Sequence, residues 1–143
     1  KSAATPDSTT TMASIFSKII AGDIPCHRIA ENDEFLAFLD INPLAEGHTL
    51  VIPKTEVDCF FDLDDGLLAR INLFARDVSH KIEAAIPCKR IGVAVIGLEV
   101  PHAHMHLIPL QNVADINFER PKLNFSAQEL AATAERITGV KTP

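Results

Sequence analysis

The chain lacks the features that mark several large classes of protein. Its cysteines, Cys26, Cys59 and Cys88, are far apart and odd in number, so no disulfide framework or CxxC metal knuckle is visible and a reducing cytoplasm is the expected compartment. It has no excess of positive charge, and its net charge of −6 argues against non-specific binding to nucleic acid or to a membrane surface. No apolar run is long enough for a membrane helix, and no signal-peptide pattern is recognised.

What is present fits an ordinary globular domain. Of the 143 residues, 47% are hydrophobic and 22% charged, and a chain of this length can bury a core without disulfides or a structural metal. The start, KSAATPDSTTTM, is polar and repetitive. We interpret residues 1–11 as a disordered remnant of the expression vector, Met12 as the native initiator and residues 12–143 as a single domain.

Hydrophobic periodicity predicts an α+β domain. A short helix from Ile15 to Ala21, capped by Ser14, precedes two strands in HRIAENDEFLAFLD and a third in HTLVIPK. Apolar residues at steps of three and four then predict a long amphipathic helix from Asp64 to just before Pro87. Two more strands follow in RIGVAVIG and HAHMHLIPL, and a last helix begins near Ser126. We expect an antiparallel sheet with helices to one side.

The segment PHAHMH holds three of the six histidines, His102, His104 and His106, at every second position. In a strand they share one face, and the apolar residues between them point to the core. One interpretation is an incidental solvated face. Another is a metal site, although the outer two histidines would lie about 13 Å apart along a strand, so His48, Asp40 or Cys59 would have to supply further ligands. The third is a nucleophilic centre, in which the central imidazole attacks phosphorus.

At these residues the chain resembles the histidine triad (HIT) superfamily, whose signature is matched by HAHMHLI. Three stretches, SIFSKIIAGDIP, LAFLDINPLAEGHTLVIPK and GLEVPHAHMHLIP, resemble in order the characteristic blocks of the Hint branch and cover about residues 14–109. The resemblance implies a HIT-like fold, a five-stranded antiparallel sheet with one long and one short helix, to which a C-terminal helical segment is added here. It also implies a homodimer that pairs through the long helix and an adjoining strand.

The function implied by the resemblance is hydrolysis of nucleoside phosphoramidates or related adenylates, with a purine mononucleotide of the AMP or GMP type as ligand and neither a cofactor nor a metal required. By resemblance, His104 is the nucleophile and carries the nucleotidyl group. His106 contacts the phosphate and the departing group, while His102 and His48 orient the active imidazole. Asp40 accepts from the ribose hydroxyls, and Gly97 of the loop before the triad and an apolar slot bind substrate; the slot is formed by Ile15, Phe16, Ile19, Phe38, Ile41 and Leu50.

Other interpretations of these residues stay open. The slot residues fit a hydrophobic core equally well, and Asp40 fits a turn. The whole chain also fits a purine-nucleotide binding or regulatory protein with little turnover, or a metal-binding protein that uses the histidine face. Leu68, Ala85 and Ile86 add apolar area to the long helix that a small sheet would not cover, which favours the dimer.

Three departures from the family pattern are visible. Ser14 and Ser17 stand where many bacterial relatives carry CxxC zinc ligands, so we expect no zinc there. The loop before the triad is shorter, with no Asn between Arg90 and His102. Leu98 and Glu99 replace hydroxyl or amide residues just after the loop glycine. A carboxyl at Glu99 is expected to act as a general acid towards the leaving group.

Overall fold

The computed structural model describes residues 13–140, so the predictions for residues 1–12 and 141–143 lie outside it. The helices are α1 (Ile15–Ala21), α2 (Asp65–Ala85) and α3 (Ala127–Thr138), and short 3₁₀ turns span Phe60–Asp62 and Val113–Ile116. The strands are β1 (Arg28–Glu31), β2 (Phe35–Leu39), β3 (Thr49–Pro53), β4 (Arg90–Ala94) and β5 (Met105–Leu110). In residues 13–140, no helix combines the length and the apolar character that crossing a membrane would require.

The cap that the sequence predicted for the first helix is confirmed. The Ser14 hydroxyl accepts the amide of Ser17 at the start of α1, which Gly22 ends in the left-handed conformation. Asp64 caps α2 by accepting from the amide of Leu67. These side chains pair backbone N–H groups that the first turn of a helix leaves without partners, which places each helix boundary.

The five strands form one antiparallel sheet in the order β1-β2-β3-β5-β4. The predicted α+β class and HIT-like architecture are therefore confirmed. Strands β2 and β3 occupy interior positions, and β5 lies between β3 and β4. The last histidine of the triad, His106, pairs with Leu50 of β3 on one side and with Ala94 of β4 on the other.

Both faces of the sheet are covered, so the expectation of helices on one side only is wrong. The larger core packs α2 and α3 against one face through residues such as Val51, Ile71 and Ala134. On the other face, Phe16 of α1 packs with a second apolar cluster; its sheet residues are Leu36, Phe38, Leu50 and Ile52. Every residue of β2 and β3 is buried, and strands buried on both faces lack the apolar–polar alternation of a half-solvated sheet.

The triad strand is shorter than the sequence predicted. Strand β5 begins only at Met105, so His102 and His104 precede it, and β4 ends at Ala94 rather than continuing to Gly97. The side chains nevertheless alternate, with Ala103, Met105 and Leu107 in the larger core. The histidines face the α1 side and are 0%, 7% and 8% exposed. A solvated histidine face is therefore wrong, because Phe16 of α1 packs against His102 and His104, and Phe118 packs against His106.

The apolar residues expected to be surplus on the long helix are covered within the chain. Leu68 and Ala85 pack partly buried against the larger core, and Ile86 is buried in it. That argument for a dimer is wrong. Other apolar side chains remain exposed, among them Leu73 of α2 at 52% and Val93 at the free edge of β4 at 58%.

Candidate active site

A cleft of about 460 Å³ opens on the α1 side of the sheet, and His104 and His106 lie in its wall. Its remaining walls come from α1, the ends of β2 and β3, the loop before the triad and the segment after β5. The volume is within the range of small-molecule sites. The lining residues include every apolar residue assigned to the predicted slot, as well as Asp40, Gly97 and Glu99; their roles in binding stay predictions.

The ring of His104 is fixed by its own neighbourhood in the chain. Its Nδ1 lies 2.7 Å from the carbonyl oxygen of His102. A carbonyl can only accept, so Nδ1 carries the proton and Nε2 holds the lone pair. Phe16 contacts the ring edge-to-face, with centroids 5.1 Å apart. The imidazole is therefore held in one orientation and one tautomer, with Nε2 available as a base or nucleophile.

His106 is held in the opposite tautomer by a relay that begins at the backbone. The amide N–H of Leu44 donates to Nδ1 of His48 at 2.9 Å, so neutral His48 carries its proton on Nε2. That Nε2 lies 2.9 Å from Nδ1 of His106 and donates to it. Neutral His106 must then carry its own proton on Nε2, as a hydrogen-bond donor. His48 thus orients His106, whereas the sequence assigned it to the active imidazole.

Burial keeps this relay neutral. Desolvation, with smaller contributions from the positive charges of His106 and Lys122, lowers the pKa of His48 to about 3. Desolvation, with smaller effects of His104 and Lys122, lowers the pKa of His106 to about 4. An imidazolium in this dry region would lose hydration without gaining a full counter-charge. Near neutral pH, both rings therefore act through neutral hydrogen bonds.

The side chain of His102 is part of a separate hydrogen-bond network beneath α1. Its Nε2 donates to the carbonyl of Pro53 at 2.8 Å, and its Nδ1 lies 2.7 Å from the hydroxyl of Ser14. Glu56 accepts from the hydroxyl of Ser17 and from the amide of Ser14. Burial lowers the pKa of His102, although the Pro53 carbonyl and Glu56 oppose that effect. His102 orients His104 through its backbone carbonyl rather than through its ring.

The residues at the position of the family zinc site do not fit that metal. Zinc in proteins takes thiolate, imidazole and carboxylate ligands, whereas Ser14 and Ser17 offer hydroxyls. The Ser14 hydroxyl is already engaged by the Ser17 amide and by Nδ1 of His102. The Ser14 hydroxyl and Nδ1 of His102, which a metal at this position would meet, are hydrogen-bonded to each other.

A second group of possible ligands is formed by Asp40, His48 and His106, whose ligand atoms lie within 4.8 Å of one another. Within residues 13–140 it is the one set of three that could hold a metal, and it does not include Cys59. The Nε2 of His48 carries the proton that it donates to His106, so in the neutral ring it has no lone pair for a metal. The geometry therefore favours a hydrogen-bonded relay over a metal centre.

Asp40 combines a turn with a place in the cleft. Its Oδ1 accepts from the amide of Asn42 at 2.8 Å, the turn that the sequence allowed. Its Oδ2 lies 3.6 Å from Nε2 of His48. Burial raises the pKa of the carboxyl, an effect that the Asn42 amide partly offsets. The remaining acceptor capacity of the carboxylate faces the cleft.

Sequence reasoning missed the part of the cleft that follows β5. Phe118 packs edge-to-face on His106 with ring centroids 4.7 Å apart, and Lys122 also lines the cleft. The only signal was a cluster of Asn, Phe, Arg and Pro residues in NFERPKLNF without helical or strand periodicity. Such a segment is easily interpreted as a connecting loop.

A buried, ordered pair of imidazoles at the wall of a largely apolar cleft offers a nucleophile beside a hydrogen-bond donor. The comparisons with known proteins agree. A model of the HIT domain matches residues 21–113, and the chain belongs to the HIT family. Proteins of this family are in general nucleotide-binding hydrolases and transferases.

Individual relatives span nearly the whole chain. An uncharacterised HIT-like protein of Borreliella burgdorferi is 33% identical over 87% of this chain and 95% of its own. An adenosine 5′-monophosphoramidase of Schizosaccharomyces pombe is 35% identical over 89% of this chain and 97% of its own. The crystal structure of a Hit-like protein of Bartonella henselae, described as involved in cell-cycle regulation, superposes with a TM-score of 0.78 at 27% identity, covering 96% and 98% of the two chains.

The neutral relay predicts that the protein loses stability in mild acid. The pKa values of about 3 for His48 and about 4 for His106 in the folded protein lie below the ordinary 6.5. Between these values and pH 6.5, the unfolded chain therefore binds more protons than the folded protein does. Stability is therefore fully present above that pH and declines towards pH 4, by about 1.4 kcal/mol per pH unit for each proton taken up. Urea unfolding between pH 7.5 and 4 measures this slope.

Matched variants assign the slope to the relay. His48→Gln keeps an amide that can donate to His106 but does not titrate, and its slope should be smaller by about one proton. His80→Gln removes an exposed histidine of α2 and should keep the wild-type slope. Identical slopes for all three proteins would contradict the assignment.

Proposed function

We propose that the protein hydrolyses purine-nucleoside phosphoramidates or related adenylates at the α-phosphorus through a nucleotidyl-histidine intermediate. The observation that carries the proposal is the pairing of opposite tautomers: His104 offers a lone pair on Nε2, and neighbouring His106 offers an N–H. Their ring centroids are 5.1 Å apart, close enough for both to meet one phosphoryl group. The name of the Schizosaccharomyces pombe relative supports the same reaction class.

In the first step, the lone pair on Nε2 of His104 attacks the α-phosphorus and forms a P–N bond. The bond from phosphorus to the leaving group breaks, and its electron pair stays on the leaving nitrogen or oxygen, which takes a proton from Glu99. The imidazole becomes positively charged, and its Nδ1–H donates to the carbonyl of His102, which stabilises that charge. His106 donates to a phosphoryl oxygen throughout.

In the second step, water attacks the same phosphorus. The P–N bond breaks, and its electron pair returns to Nε2 of His104. The proton released by water goes to the Glu99 carboxylate, which restores the starting state. The products are the nucleoside monophosphate and the free leaving group. An alcohol or amine in place of water would give transfer instead of hydrolysis.

In this proposal the wall of the cleft binds the nucleoside. Phe16 and Leu50 are buried in the second apolar cluster and also line the cleft, so packing and a base slot are compatible at these positions. Asp40 follows Phe38 of the slot by two residues, and its Oδ2 lies 3.6 Å from Nε2 of His48, which supports its proposed role as the acceptor of the ribose hydroxyls. The loop glycine Gly97 has a φ of +70° and borders the cleft next to Glu99. These placements support a purine mononucleotide as ligand.

Substitution of the nucleophile separates turnover from binding. His104→Ala should abolish hydrolysis of adenosine phosphoramidate, while the Kd for AMP changes by less than roughly tenfold, or about 1.4 kcal/mol. The reason is that the P–N bond forms only during reaction, whereas base and ribose contacts hold the ground state. Intact-protein mass spectrometry of quenched reactions should find a nucleotidyl adduct on the wild type and none on the variant.

The controls address the other classes of function. His80→Ala, outside the cleft, should react like the wild type, and treatment with a chelator should leave activity intact if no metal takes part. Near-normal turnover by His104→Ala would refute the mechanism. A wild type that binds AMP tightly but forms no adduct and turns over nothing would indicate a binding protein instead.

The proposed acid predicts the effect of a substitution. Glu99 is exposed and lines the cleft together with Asp40. Glu99→Gln removes the proton that the carboxyl would transfer to the leaving group and should lower kcat/KM for adenosine phosphoramidate, while the Kd for AMP stays near the wild-type value. An unchanged kcat/KM in Glu99→Gln would eliminate this role.

We also propose a homodimer through α2 and the edge strand β4. A groove between them is lined by residues of both elements, including Ser79, Ile91 and Val93, and a free strand edge with an exposed apolar side chain favours pairing. Val93→Lys should convert a dimer to a monomer in light scattering at micromolar concentration. Val113→Lys, an equally drastic change at an exposed side chain that belongs neither to α2 or β4 nor to the groove, should stay dimeric; a monomeric wild type would contradict the proposal.

A further inference from the structure

One charged group in the cleft has no part in the proposed reaction. Lys122 is the only lysine or arginine among the residues that line the cleft in the described part of the chain. Its Nζ donates to the carbonyl of Phe118 at 2.9 Å, which uses one of the three donors of an ammonium group. The other charged residues of the lining, Asp40 and Glu99, are both acidic.

The segment that carries Lys122 is held against the cleft. The amide of Leu123 donates to the carbonyl of Pro43 at 2.8 Å, which joins the segment to the loop after Asp40. Further back, Asp115 accepts from the amides of Gln111 and Asn112 and pairs with Arg120 at 3.2 Å. The whole segment from residue 114 onward lies outside the stretch matched by the HIT-domain model, so Lys122 is not part of the pattern that this model describes.

Ring contacts give the order of groups along the cleft. Phe38 of the apolar slot contacts Phe16 at 5.6 Å between centroids, and Phe16 contacts His104 at 5.1 Å. His104 is followed by His106 at 5.1 Å, and His106 by Phe118 at 4.7 Å. The ammonium group of Lys122 lies 6.0 Å from the Phe118 centroid. In this series of contacts Lys122 is at the end opposite to the slot. It is also near enough to Asp40 for its positive charge to oppose the rise in the pKa of that carboxyl.

We propose that Lys122 binds a negative charge on the leaving group and makes the enzyme selective for anionic leaving groups. The inference rests on the proposed function, in which the base occupies the slot and the phosphate lies at His104 and His106. The leaving group then extends towards Phe118 and Lys122. A carboxylate or a phosphate there accepts the free N–H donors of the ammonium group, and a charge-assisted hydrogen bond of this kind is among the stronger polar contacts.

Two substrates that differ only in charge test the selectivity. In the adenosine 5′-phosphoramidate of alanine the leaving group carries a carboxylate, and in that of alaninamide it carries a neutral amide. The wild type should prefer the carboxylate by about tenfold in kcat/KM. Lys122→Met should bring this ratio close to one, Lys122→Arg should keep it, and Lys81→Met, which removes an exposed charge from α2, should leave it at the wild-type value.

A binding measurement keeps this result separate from the fate of the proposed function. In the His104→Ala background, calorimetry gives the Kd values of both phosphoramidates without turnover, with and without Lys122→Met. A ratio that depends on Lys122 supports the inference even if the wild type hydrolyses neither compound, an outcome that would end the proposed function alone. The affinity of ADP relative to AMP in the same variants shows whether a phosphate replaces the carboxylate as the preferred anion.

Two results would overturn the inference. One is an equal loss of kcat/KM for both phosphoramidates in Lys122→Met. That result would indicate that Lys122 stabilises the position of the segment after β5 or offsets the negative charge of Asp40. The other is a ratio close to one in the wild type, by turnover and by Kd, together with no effect of Lys122→Met on ADP binding.

Discussion

The hydrogen bond from the amide of Leu44 to Nδ1 of His48 determines where the protons lie in the histidine cluster. Because that nitrogen accepts, His48 donates from Nε2, and His106 is left to present an N–H on its other nitrogen. The carbonyl of His102 imposes the opposite tautomer on His104. Two backbone groups thus give neighbouring imidazoles complementary roles, a lone pair beside a donor.

The loop that carries His48 has little freedom to place it elsewhere. The amide of Asp40 donates to the carbonyl of His48 at 3.0 Å, and the amide of His48 donates to that of Ala45 at 3.1 Å. Gly47 adopts a φ of +91°, and a Cβ there would lie 3.0 Å from Ile86. Only glycine accepts both that backbone conformation and that close approach. The relay therefore depends on the packing of this loop against the end of α2.

Burial of His48 and His106 has a chemical consequence. Desolvation lowers the pKa of both rings far below the ordinary value, so they stay neutral, and the neutral state is the one in which His48 donates to His106 and His106 keeps a second N–H to donate. The same burial lowers the stability of the fold when these rings must take up protons in acid. The hydrogen-bonded relay and the acid sensitivity therefore arise from one feature.

Much of the fold was predictable because it depends on local patterns. The Ser14 cap and the 3.6-residue stripe of α2 depend on residues a few positions apart, so the sequence showed them directly. The period-two spacing of the triad also placed its three side chains on one side. The assignment of helices to one face was wrong, because β2 and β3 are apolar in every position and their pattern does not say what covers each face.

The sequence by itself determined which groups can do chemistry: three alternating histidines, the acidic residue Asp40 and the apolar residues around it. Only the tertiary structure decided which nitrogen of each ring carries a proton, since the partners, such as Leu44 for His48 and Pro53 for His102, are set by the packing of loops and strands. It also brought Phe118 and Lys122 to the cleft. The segment that carries them shows no helical or strand periodicity. Its position depends on hydrogen bonds to residues far away in the sequence, such as that from Leu123 to Pro43, which a local pattern does not indicate.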